Sequence, residues 1–166
     1  MIEVTDKDAV ELLDADHIAV KHLFVEYARM AVSGMDEAGE RRSLAMQICD
    51  ELTVHAQIEE EIFYPALRGV PDAGELLDEA ESEHAEAKQL IAQIQAERAA
   101  GETMDELVSK LATSVEHHVK EERCYLFAKA KAARGVDLAA LGEQMRERQQ
   151  QLQGQGQAKK KRPAGR

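Results

Sequence analysis

The sequence predicts an all-α protein: an up-down-up-down four-helix bundle with a short fifth helix and a disordered basic tail. Three observations predict it. Apolar residues recur at three- and four-residue spacing along most of the chain. Only three prolines interrupt a composition rich in Ala, Leu, Glu, Gln and Lys, the residues that lose least on entering a helix. The breakers divide the chain into four long segments with short connections, as antiparallel neighbours require. At 166 residues the chain is long enough for one domain with a hydrophobic core.

The first segment runs from about residue 6 to 32, with Thr5 and Asp8 as capping candidates and Ser33-Gly34 closing it. The second, about 36 to 67, is stopped by Pro65 and the turn RGVPDAG, because proline removes a donor and clashes with the preceding turn. The third, about 72 to 100, ends at Gly101. The fourth opens at TMDE, where Thr103 and Glu106 have the spacing of a capping box, and ends near Gly135. A shorter fifth helix, about 137 to 152, lies against the bundle through Leu138, Leu141 and Met145. Residues 1–152 are thus expected to form one domain, and residues 153–166, ending in GQGQAKKKRPAGR, a disordered basic tail.

No apolar run is long enough to cross a bilayer, and the start MIEVTDKDAV lacks the pattern of a signal peptide. A cytoplasmic location is expected, with Cys49 and Cys124 as reduced thiols in packing roles. No membrane partner is expected; the net charge of −11 argues against nucleic acid as the main partner of the folded part, and leaves weak polyanion contact for the tail.

The two halves of the chain repeat a pattern. LLDADHIAVKHLF, around His17, pairs with DEAESEHAEAKQL, around His84; HAQIEEEIFYP, from His55, pairs with HVKEERCYLFA, from His118. The alignment matches His118 with His55 and His117 with Val54, which selects His118 of the adjacent pair. Helical stripes then aim one histidine inward from each helix: Leu13, His17, Val20, Phe24 and Tyr27; Ile48, Leu52, His55, Glu59 and Ile62; Leu77, Ala80, His84, Ala87 and Ile91; Leu107, Leu111, His118, Glu122 and Tyr125. Glu59 and Glu122, one turn after a histidine, face the same way. At 1.5 Å per residue all six groups fall about 18 to 22 Å from the same end of an antiparallel bundle. Buried without compensation, they would be severely destabilising. A metal centre resolves the conflict.

At His17, HAQIEEEIFYPAL, SEHAEAK and HHVKEER, over about residues 7 to 133, the sequence resembles the hemerythrin-like (HHE cation-binding) family of four-helix bundles. The resemblance implies an oxo- or hydroxo-bridged centre of two iron ions, with His17, His55, Glu59, His84, His118 and Glu122 as ligands and both glutamates bridging. Imidazole and carboxylate suit iron, and two carboxylates offset much of its charge. The sequence departs from the oxygen-carrying members. Lys88 stands where they have a second histidine, and the fourth helix carries Glu122 four residues after its histidine where they have an aspartate five residues after it. The ligand set is therefore nearly two-fold symmetric, which speaks against reversible oxygen carriage. It favours binding of, or reaction with, oxygen, peroxide or nitric oxide in a redox or oxygen-responsive role. Iron storage, trafficking or sensing without catalysis is the second reading, and a zinc-stabilised interaction bundle the third.

Several neighbours stay open at this level. Tyr27 or Tyr125 can fill an open position on a metal; Asp14 and Glu81, three residues before His17 and His84, can join the ligands or orient them. His22 and His117 are read as surface histidines, and Glu60, Glu61 and Glu121 as solvated acids near a route for cations.

Overall fold

The computed structural model describes residues 7–34 and 39–161, with side chains described up to residue 155. Helix α1 spans Ala9–Ser33, and Asp8 caps it by accepting a hydrogen bond from the Glu11 amide at 2.9 Å. The other capping candidate, Thr5, lies outside the described residues. The helix ends at Gly34, whose φ of 65° is the left-handed conformation that glycine adopts without steric cost.

Helix α2 spans Glu40–Ile58 and continues through a π-helical turn, Glu59–Phe63, into the short stretch Tyr64–Leu67. Pro65 therefore lies inside the rod. It sits in the first positions after the π turn, where a missing amide proton costs least. Helix α3 spans Gly74–Ala96. Helix α4 spans Glu102–Glu121 and likewise passes through a π turn, Glu122–Leu126, into Phe127–Ala132. The capping box expected at Thr103 and Glu106 does not form: Gly101 precedes the helix, and both side chains are exposed in its first two turns.

Helix α5 spans Leu138–Lys161, well past the expected end near residue 152. Its Gln, Ala and Lys residues are good helix formers, and the next proline is Pro163. The remainder of the expected tail, residues 162–166, lies outside the described residues.

Cross-helix pairs give the directions. Tyr27 meets Asp105 and His17 meets Glu122, so α1 and α4 run antiparallel. Arg42 meets Glu97 and Glu60 meets Lys88, so α2 and α3 do too. α5 packs against α1 and α2 through buried Met145, with Leu138 and Leu141 beside it.

Gly142 lets α5 approach α1 closely. A Cβ at this position would stand 2.8 Å from the Lys7 carbonyl oxygen and 2.9 Å from the Asp8 carbonyl carbon, both backbone atoms with little room to yield. Gly142→Ala is expected to destabilise the protein by about 1–3 kcal/mol despite the better helix propensity of alanine. The check is a urea titration, in which an unchanged or raised midpoint would show that α5 shifts freely.

Two apolar cores fill the bundle. One contains Leu13, Ile58, Phe63, Tyr64, Leu77 and Phe127; the other contains Val20, Ile48, Leu52, Ile91, Met104 and Leu111. Each large side chain removed from water contributes about 1.5–3 kcal/mol, enough to fix the rods around a layer that is not apolar. That layer lies between the cores.

Candidate metal centre

All six residues singled out by the repeat occupy the layer between the cores. His17, His55, His84 and His118 are at most 9 % exposed, Glu59 is 0 % and Glu122 1 % exposed. They gather into two groups of donor atoms, His17 with His55 and Glu122, and His84 with His118 and Glu59; within each group the atoms lie within 4.8 Å of one another. The glutamates join the groups. Glu122 places Oε1 3.2 Å from His17 Nε2 and Oε2 3.1 Å from His118 Nε2. Glu59 Oε1 lies 2.9 Å from His55 Nε2 and 3.3 Å from His84 Nε2.

These short distances are not hydrogen bonds in the usual sense. Both Glu59 oxygens and Glu122 Oε1 are fully buried without a hydrogen-bond partner, and His17 Nε2 faces His55 Nε2 at 3.2 Å. Orphaned acceptors of this kind are rare in folded proteins because desolvation is costly. Lone pairs that converge on common points, rather than along N–H directions, are what a pair of cations requires. The donor set fits metal binding.

Electrostatics agree. Burial alone would raise the Glu59 carboxyl, but His55 and the neighbouring imidazoles hold it well below the ordinary carboxylate range. Burial pulls His55 down, yet Glu59 and Asp16 more than reverse it and lift the imidazole to about 10. His118 is likewise raised to about 12, burial being outweighed by Glu122, Glu59 and Glu83.

The expected orienting carboxylates are met only in part. Asp14 stands 3.9 Å from His17 Nδ1 while it pairs with Arg123 at 2.9 Å, whereas Glu81 pairs with Arg68 at 2.9 Å, away from the centre. In addition His55 Nδ1 donates to Asp16 Oδ2 at 3.1 Å, and His118 Nδ1 donates to Glu83 Oε1 at 3.1 Å. Asp16 and Glu83 each precede a histidine of the layer by one residue, which turns them toward the next helix. A carboxylate can only accept, so it fixes the proton on Nδ1 and frees the Nε2 lone pair for a cation.

The tyrosines also differ from expectation. Tyr27 donates to Asp105 at 2.7 Å, in the core beyond the layer, and Tyr125 is 54 % exposed. The tyrosine at the centre is Tyr64. Its buried hydroxyl donates to Glu122 Oε2 at 2.7 Å and lies 3.3 Å from His84 Nε2. The π turns explain the exchange. The Tyr64 amide bonds to the Glu59 carbonyl and the Phe127 amide to the Glu122 carbonyl, five residues back instead of four. The extra residue rotates the following stripe, so Phe63, Tyr64, Leu126 and Phe127 point inward while Tyr125 and Cys124 point out. Cys124 is therefore exposed and not a packing residue; Cys49 is buried in the core, and burial with Asp50 nearby pushes its thiol up to about 12. The repeat aligns Tyr64 with Phe127, which stacks on His17 at 5.9 Å between ring centroids, so the two halves differ by one hydroxyl.

Lys88 donates to Glu60 at 2.6 Å, and His22 and His117 are exposed, as read from their sequence positions. A cavity of about 40 Å³ opens onto the layer; Val20, Leu52, Ile91 and Val115 wall it, and all four histidines of the layer line it. No helix among the described residues is long and apolar enough to cross a membrane.

Comparisons with known proteins agree with this geometry. The sequence profile of the hemerythrin HHE cation binding domain matches residues 8–130. The chain is 25 % identical to a hemerythrin HHE cation binding domain-containing protein from Mycobacterium kansasii, with a TM-score of 0.75 over 92 % of this chain and 91 % of that one. It is 32 % identical over 126 residues to a DNA nickase from Nostoc sp. (strain PCC 7120), a match that covers 74 % of this chain and 33 % of the nickase. The chain thus spans about a third of that relative's length. With its bundle, its two donor groups and the matched segment in agreement, this chain belongs to the hemerythrin HHE cation-binding domain family.

Proposed function

We propose that the chain is a non-haem di-iron protein that binds or reacts with oxygen, peroxide or nitric oxide in a redox or oxygen-responsive role. His17, His55, Glu59, His84, His118 and Glu122 would hold the two irons. The observation that carries this reading is the small, apolar-walled cavity on the histidine layer. It has room for a molecule of two or a few atoms and little more. Storage or transport of iron alone does not call for such a chamber. Bound iron would supply the redox and Lewis-acid chemistry. The protein's own part is to hold the imidazoles by Asp16 and Glu83, to keep bulk water out, and to present the Tyr64 hydroxyl as a proton-bearing group beside Glu122.

The test is metal analysis of freshly purified protein with absorption spectra before and after peroxide. About two irons per chain, and a near-ultraviolet band that peroxide perturbs, are expected for two-metal carboxylate chemistry. Iron inert to peroxide, oxygen and nitric oxide would leave a storage or sensing module. Zinc, or no metal with an intact helical fold, would leave an interaction bundle. The nickase match adds a second reading, strand cleavage in DNA, to be checked on supercoiled plasmid with the same preparation. The charge of −11 opposes approach to a polyanion, which places this reading second.

A further inference from the structure

Outside the layer, on the flank of its His84 and His118 half, a second set of donors converges. His117 Nε2 lies 3.4 Å from Glu83 Oε2 and 3.5 Å from Glu121 Oε1, and the three atoms lie within 4.8 Å of one another. Donors bound at about 2.1 Å to one ion stand about 3.4 Å apart at tetrahedral angles. The two short edges of the cluster have that length.

The three side chains are held by separate means. His117 and Glu121 are one turn apart on α4, so the helix sets their spacing. Glu83 comes from α3, and its other oxygen is fixed by the proton on His118 Nδ1. Its free oxygen is thereby aimed at His117. Access differs from that of the inner layer: the His117 side chain is 62 % exposed, while Glu83 and Glu121 are 14 % and 30 % exposed. The repeat does not produce this cluster automatically. The positions equivalent to His117 and Glu121 are Val54 and Ile58, and the first half has no counterpart.

We propose that Glu83, His117 and Glu121 form a separate outer site for one divalent first-row transition-metal ion, with water completing its shell. One imidazole and two carboxylates suit ions such as Mn²⁺, Fe²⁺ or Zn²⁺. Three protein donors at the surface hold the ion more weakly than the buried layer holds its own. Glu83 couples the two sites: an ion on Oε2 draws electron density from the oxygen that orients His118.

The experiment titrates Mn²⁺ into the untagged protein carrying its inner metal as purified, following free Mn²⁺ by electron paramagnetic resonance. Wild type is expected to take up one additional ion per chain. His117→Ala and Glu121→Gln are expected to bind that ion at least about tenfold more weakly, the scale on which even an outlying partner acts. Inner metal content and the circular dichroism spectrum should be unchanged in both. Wild type that takes up no additional ion, or variants that bind it equally well, would overturn the proposal. Loss of the inner metal in either variant would overturn it too, because these residues would then belong to the same centre.

Discussion

Glu59→Ala is expected to empty the centre and to lower the stability of the chain more than any other single substitution in the layer. Glu59 reaches His55 and His84, and it is entirely buried. In the proposed two-iron centre, removing it takes away one of the two carboxylates that offset the cation charge. It also leaves His55, whose proton Glu59 helps to hold, without its nearest counter-charge. Breaking a buried charge pair from one side costs about 3–5 kcal/mol, and for a chain of this size each kcal/mol lowers Tm by roughly 2–4 °C. A fall of about 10 °C is therefore expected, with metal content near zero. His55→Ala should act in the same direction. Metal analysis and thermal melts check both, with His22→Ala as the exposed control that keeps its metal. Wild-type iron content in Glu59→Ala and His55→Ala would remove both residues from the ligand set.

The positions of these residues were legible because two periodicities coincide. The 3.6-residue repeat fixes which face is buried, and the internal duplication fixes which of the many acids and histidines recur at one height. His118 was separable from His117 on that ground, and the structure buries the first and exposes the second. What the sequence could not show begins at each glutamate. A π turn has no residue signature, and it displaces every later position by one. Projection of an unbroken α-helix therefore points Tyr125 at the centre and misses Tyr64. Read with the duplication, an aromatic residue five positions after each glutamate, Tyr64 and Phe127, was the available signal. Asp16 and Glu83 escaped for a different reason: they act on the histidine of a neighbouring helix, and a single-helix projection does not contain that contact.

These two carboxylates carry the second large effect. Asp16→Ala and Glu83→Ala are each expected to weaken metal binding about 10–100-fold, measured by competition with a coloured chelator. The six ligand residues of the layer are unchanged in both variants, so weaker binding of the inner metal reports on how the imidazoles are held. Asn at 16 or Gln at 83 keeps an acceptor for Nδ1 without the charge and should recover part of the affinity, which separates the hydrogen bond from the electrostatic contribution. The variants should differ in their remote effects. Asp16 also accepts from Gln149 at 3.4 Å, so its loss loosens α5 at the first half of the layer, whereas Glu83 pairs with His117 and His118 of α4. Amide exchange in α5 should therefore rise in Asp16→Ala and stay at the wild-type rate in Glu83→Ala. Equal affinities in wild type and both alanine variants would mean that packing alone holds the imidazoles. In that case stacking on Phe127 and contact with Tyr64 would have to provide the orientation. Stacking restrains the plane of a ring but leaves the choice of protonated nitrogen free, so a layer held only by packing would present Nε2–H as readily as its lone pair. The two donor groups need the Nε2 lone pair on each of their imidazoles, which is why the charge partners at Nδ1 of His55 and His118 are expected to dominate there.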